Sequence, residues 1–226
     1  MKLDPCRNIF YLRISLNNTK KDSNYISMVK LYGGAVSTEF PVSDQFKVVD
    51  ISQIRQIPDT QEVFIFESCT LDNGKLDKSI IFDLLERVDG VDYDKAILAH
   101  LDDMVETKVS NFFVERIDHV INASGDAQVV DANFSFIIHE NDRRDASESD
   151  SPISILTFLN LFRLENVETD VLISMNVPLM EKLDGTQLAH NLLGTDPKYE
   201  QLRNDYLLFK RINLNYKILD WGLFGI

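Results

Sequence analysis

Two carboxylates at the mouth of a strand are the residues in this sequence best placed to do chemistry. Asp59 and Glu62 fall in the stretch from Val48 to Glu67, which also carries Asp50, Arg55 and Gln61. Acids placed there could line a deep cleft together with a histidine, as in a ligand-binding or enzymatic α+β domain. They could also face outward as a convex or shallow acidic patch for a basic partner. Taken alone, a turn aspartate and a strand-entry glutamate read as ordinary surface residues that aid solubility, because aspartate is a good turn former.

Other chemistry has little support. The four histidines, His100, His119, His139 and His190, are scattered without an i,i+4 pair, so they read as satisfied structural or surface residues rather than metal ligands. No Gly-x-Ser-x-Gly elbow is present, and Gly33-Gly34 is not followed by the Gly-Lys-Ser/Thr of a phosphate loop. Neither a bond-making enzyme nor a cofactor is expected. A formal net charge of -13 and a pI near 4.7 argue against binding nucleic acid phosphates and point to a basic protein partner. Aromatic residues in the strands lack interleaved cations and read as core. Asp102, Asp103 and Glu106 read as a solvated helix edge. Cys6 and Cys69 give no disulfide framework or zinc spacing and fit a reducing compartment. The glycosylation patterns at Asn17, Asn122 and Asn133 read as chance matches without a secretory signal, and no apolar run reaches the roughly 20 residues that span a bilayer.

The elements that must position the acids follow from periodicity. Val48-Val49, a polar turn rigidified by Pro58, and Val63 to Phe66 read as strand, exposed turn, strand. Alternation puts Val63 and Ile65 on one face and Glu62, Phe64 and Phe66 on the other. Gly33-Gly34 marks a turn beside a strand. Ile80, Ile81, Leu84, Leu85 and Val88 recur as a helix face, with Asp77 as cap and Gly90 beyond its end; a second helix follows over Ala96 to Val105. Phe112 to Ile121 and Gln128 to His139 flank Ser124-Gly125-Asp126 as a hairpin. Residues 140–151 form a solvated loop, and Ile153 to Leu164 pairs with Asp170 to Val177, closed by Pro178. Asp196-Pro197 starts a helix carrying Tyr199, Leu202, Tyr206 and Phe209, and Trp221, Leu223 and Phe224 anchor the C-terminal stretch. The economical architecture is α+β, a mainly antiparallel β-sheet with helices packed on both faces. Residues 1–27 read as an appended, flexible arm and 28–226 as a single domain.

Leu31 to Val36, together with Arg55-Gln-Ile-Pro-Asp-Thr-Gln-Glu-Val-Phe64, resembles the Ran guanine-nucleotide release factor family, the Mog family of nuclear-import factors. The similarity extends weakly from Met28 to Gly225 and departs at Thr60, where the family usually carries asparagine. The resemblance implies a Mog/PsbP-like fold and a monomer that binds the GTPase Ran, promotes release of its guanine nucleotide and supports nuclear import. It implies residence in the nucleus with some in the cytoplasm, and leaves room for the chromatin-bound Ran exchange factor as a further partner. It assigns Asp59 and Glu62 to the Ran-binding surface; Arg55 and Gln61 of the same run border it, and Asp50 either joins them or caps the turn at Ser52 to Ile54.

Overall fold

The computed structural model describes residues 25–42, 46–51, 59–68, 77–104, 115–121, 131–140, 154–183 and 185–225. Its strands are β1 (Tyr25–Leu31), β2 (Val36–Val42), β3 (Phe46–Asp50), β4 (Gln61–Ser68), β5 (Lys78–Glu86), β6 (Glu115–Ile121), β7 (Asp131–Glu140), β8 (Ser154–Leu164), β9 (Thr169–Leu179) and β10 (Lys217–Ile218). The helices are α1 (Tyr93–Met104), α2 (Leu188–Leu193) and α3 (Glu200–Leu214). Seven strands form one sheet in the order β3-β4-β5-β9-β8-β7-β6, with every neighbour antiparallel. A smaller sheet, β1-β2-β10, carries Gly33 and Gly34 in the 3-10 turn between its first two strands.

Both faces of the large sheet are covered, as expected. One face packs against the small sheet, α2 and α3, burying Phe64, Ile80, Phe82, Phe134, Phe158 and Met175 with Phe40 and Phe209. The other receives Ala96, Ile97 and Leu101 of α1 on Ile137, Leu159, Leu161 and Leu172. Central strands β8 and β9 therefore bury side chains in both directions, which is why their sequences read as nearly continuous apolar runs. Capping follows the sequence signal at Asp196, which accepts from Lys198 N–H at 2.9 Å with Pro197 in the first turn, and Asp92 plays the same part at α1 by accepting from Lys95 N–H at 3.0 Å. Trp221, Leu223 and Phe224 pack against the main core from a final 3-10 turn.

The helix expected over residues 80–88 is instead β5. Ile80, Phe82 and Leu84 point to the small-sheet side, while Leu85 packs beneath α1. A strand apolar on both faces satisfies helical spacing by accident, and its neighbours β4 and β9 decide the outcome. Asp77 caps no helix here, and among the described residues α1 is the one helix between β5 and β6. Pro178 lies inside β9 opposite Ile155 rather than closing it. Because β5 pairs with β9 only as far as Asn176, the proline occupies a part of β9 with one neighbour in this sheet, where it is tolerated. Strand β1 begins at Tyr25, ahead of the Met28 boundary of the sequence reading. Glu140, the first residue of the expected 140–151 loop, is the last of β7, while Pro58, Arg55, the 124–126 turn and residues 141–151 lie outside the described residues.

Candidate functional site

Register places the acids. Asp50 of β3 lies opposite Phe64 of β4, and Glu62 lies opposite Phe82 of β5. Opposed residues of antiparallel strands share a face, so Asp50, Glu62, Phe64 and Phe82 all project toward the small sheet. Phe40 closes that face, 5.0 Å from Phe64 and 6.2 Å from Phe82 between ring centroids. Glu62 thus extends the aromatic row at its outer end and is partly buried.

One oxygen of Glu62 accepts a hydrogen bond from the Tyr32 backbone N–H. Tyr32, Gly33 and Gly34 have φ of +50, +66 and +105°. Left-handed backbone is natural for glycine and strained for tyrosine. Tyr32 is held at both ends, since its hydroxyl donates to the Phe82 carbonyl at 2.9 Å. Burial pushes the Tyr32 phenol well above its ordinary pKa, reinforced by Tyr216, Glu62 and Asp83. Burial likewise raises the Tyr216 phenol, with a further push from Glu62. For Glu62 itself, burial pushes the carboxyl up to about 7; the Tyr32 N–H opposes that and Asp50 adds to it.

Asp59 and Thr60 form the exposed turn leading into β4. The Thr60 carbonyl accepts from Leu84 N–H at 2.8 Å, which fixes the turn to β5. Gln61 projects to the opposite face, where its side-chain amide donates to Asp83 at 2.5 Å. Asp83 is 4% exposed, and burial raises its carboxyl despite the hydrogen bond from Gln61 and the nearby His100. The structure therefore brings Asp50 and Glu62 together with Asp59 at the adjoining turn, and separates Gln61 from them. Arg55 lies outside the described residues. Tyr32 and Tyr216 are absent from the sequence assignment. The glycine pair signals the turn, but no spacing signals its contact with a carboxylate 30 residues away.

A pocket reading requires a histidine beside these acids. His100 is a buried residue of α1 on the opposite face, His190 is exposed on α2, His139 lies on β7, four strands from β4, and His119 lies on β6, one strand further.

The elevated Glu62 pKa makes a stability prediction. A carboxyl whose folded pKa lies above its unfolded value of about 4.5 destabilises the fold increasingly as pH rises from about 4.5 to 7. Glu62→Gln is expected to stabilise the protein at pH 8 by about 1–2 kcal/mol, the full shift being discounted for residual solvent contact. The gain should vanish below pH 4.5, and urea unfolding at both pH values reads the difference. Equal gains at both would remove the titration from the account.

The model of the family described as Ran-interacting Mog1 protein matches residues 29–178. The chain belongs to the Mog1 family. It is 28% identical to the nuclear import protein MOG1 of Saccharomyces cerevisiae over 201 residues, covering 87% of this chain and 84% of that one. It is 26% identical to the Ran guanine nucleotide release factor of Danio rerio, covering 86% of this chain and 98% of the relative. The crystal structure of the Saccharomyces cerevisiae Ran-binding protein Mog1p superposes with a TM-score of 0.56 at 27% identity, covering 89% of this chain and 99% of that chain. The Mog1-family match spans both the Tyr32 turn and the β4 entry.

Proposed function

We propose that this Mog1-family chain binds Ran, promotes release of its bound guanine nucleotide and supports nuclear protein import. The observation that carries the reading is the family match over residues 29–178, which takes in the whole Tyr32–Glu62 site. The surface assigned to Ran centres on Asp59 and the Glu62 end of β4, with Asp50 beside it and Arg55 at its border; Gln61 supports it from the far face through Asp83. The protein acts as a monomeric binding factor and breaks no bond. It works in the nucleus, where the chromatin-bound Ran exchange factor is a candidate second partner, with a share in the cytoplasm; the Ran-binding unit begins with β1 at Tyr25, and the residues before it lie outside that unit.

The mechanism is linkage. If the factor binds nucleotide-free Ran more tightly than loaded Ran, nucleotide must bind the complex more weakly by the same factor, and about 3 kcal/mol of coupling weakens it roughly 150-fold. An acidic surface suits a basic region of Ran and speeds encounter. The test is the release rate of a fluorescent guanine nucleotide from Ran. Wild type should accelerate release, and folded Asp59→Lys should lose at least about tenfold of that acceleration, since reversing one charge at a contact costs on the order of 1.4 kcal/mol or more. No acceleration and no complex with Ran in any nucleotide state would overturn the reading.

A further inference from the structure

The two faces of the small sheet differ in character. Val29, Leu31, Val36, Phe40 and Ile218 point inward and belong to the main core. Alternation turns Met28 and Lys30 of β1, Ser37 and Glu39 of β2, and Lys217 of β10 the other way. Register sets them in rows: Lys30 lies opposite Ser37, Ser37 lies opposite Lys217, and Met28 lies opposite Glu39. Leu219 continues the Lys217 side past buried Ile218, its N–H donating to the Ala35 carbonyl at 2.7 Å. Beside β2, Arg211 of α3 reaches Glu39 at 3.6 Å, and Leu207 lies one turn earlier on the same helix.

Met28, Leu207 and Leu219 are 53%, 53% and 56% exposed, three of the six large apolar side chains left open among the described residues. Exposed apolar residues are ordinary when scattered and informative when they gather. Lys30 and Lys217 are exposed, and neither has an ion-pair partner among the described residues. The nearby acids are already engaged: Glu39 by Arg211, and Asp220 by the Gly222 N–H at 2.8 Å. The result is a cationic, apolar face on a chain whose formal net charge is -13.

From this arrangement we propose that the outer face of the small sheet is a docking surface for a short acidic and apolar segment of a protein partner, whose carboxylates meet Lys30 and Lys217 and whose apolar side chains cover Met28 and Leu219. Two unpaired lysines match one or two carboxylates. A nucleic acid or an anionic membrane spreads its charge over a larger area and would bring it against the acidic remainder of the chain. The face is turned away from the one that carries Asp50 and Glu62, and the proposal does not depend on the Ran reading.

The probe is a fluorescent peptide of repeated Asp-Glu-Leu triplets, followed by anisotropy against the full chain. Wild type should bind it, more weakly as salt is raised, and the amide resonances of Met28, Lys30, Ser37, Lys217 and Leu219 should be among those that move most. Lys30→Glu with Lys217→Glu is expected to weaken binding at least about tenfold. Met28→Ser with Leu219→Ser should cost at least about threefold, and so should serine in place of leucine in the peptide. The control is Lys95→Glu with Lys198→Glu, which changes the net charge equally at exposed positions elsewhere and should stay within about twofold of wild type. Melting curves restrict the comparison to folded variants. Equal losses in the two lysine pairs would make the effect one of net charge and overturn the proposal. Absence of binding by wild type would overturn it too, as would shifts confined to other surfaces. Binding to vesicles of phosphatidylcholine and phosphatidylserine but not to the peptide, lost in the Lys30 and Lys217 variant, would reassign the face to a membrane and likewise overturn it.

Discussion

Asp170→Ala is expected to cost about 3–5 kcal/mol of unfolding free energy, because it would strip the partner from the Arg163 guanidinium and from the buried His100 ring. Asp170 is fully buried in β9. One oxygen lies 2.8 Å from His100 Nε2 of α1 and accepts from Val88 N–H at 3.3 Å; the other accepts from Arg163 Nε at 3.2 Å. Arg163 continues the network by donating to the carbonyls of Val88 and Val91. Together these bonds tie β8, β9, α1 and the β5–α1 connection. Burial alone would raise the Asp170 carboxyl, but His100, the Val88 amide and Arg163 outweigh it and hold the group below the usual carboxylate range. A depressed pKa contributes stability that is present above the unfolded value of about 4 and is lost as pH falls through the folded value. Urea unfolding of the variant at pH 7 should therefore show the large loss, and the gap from wild type should narrow as pH drops below about 4. A loss under about 1 kcal/mol at pH 7 would mean the network is not holding these elements together.

Phe82→Ala should be comparably severe, at about 3–5 kcal/mol, for an unrelated reason. Phe82 has no exposed surface, and its ring centroid lies 6.1 to 6.3 Å from those of Phe64, Phe40 and Tyr216. It joins β5 to β4, to the small sheet above and to the chain entering β10. Truncation removes the transfer free energy of the ring and leaves a cavity whose walls, packed by other aromatic rings, collapse poorly. Phe82→Leu should recover part of the loss. Denaturant midpoints at constant slope measure both variants; equal stability of Phe82→Ala and wild type would show that the aromatic row can close over the gap.

Local pattern was informative where an element owes its form to its own residues. The β6–β7 and β8–β9 pairs, α1 and α3 were legible in strand composition, helical spacing and the Asp196-Pro197 start. β5 was not, because a strand buried on both sides has no polar face to reveal its period of two. The acids Asp59 and Glu62 stood out through the family-like run, and alternation correctly grouped Glu62 with Phe64 and Phe66. Their environments stayed hidden. Nothing near Gln61 in sequence announces that its amide meets Asp83 on the opposite face, and nothing near Tyr32 announces its bond to Glu62. The His100–Asp170 pair is separated by 70 residues, so sequence left His100 as a histidine with a structural or surface role and no named partner.

The small sheet has a consequence for how the chain reaches this state. β2 sits between β1, its immediate predecessor, and β10, which arrives near the far end of the sequence. Thr38 of β2 also donates to the Ile212 carbonyl at 2.5 Å, across 174 residues of chain. Contacts so distant in sequence require most of the loop-closure entropy to be lost before they return any stability, which slows folding. On a ribosome, β2 must wait for the last part of the chain before its second edge is covered, leaving that edge open to unwanted pairing during synthesis.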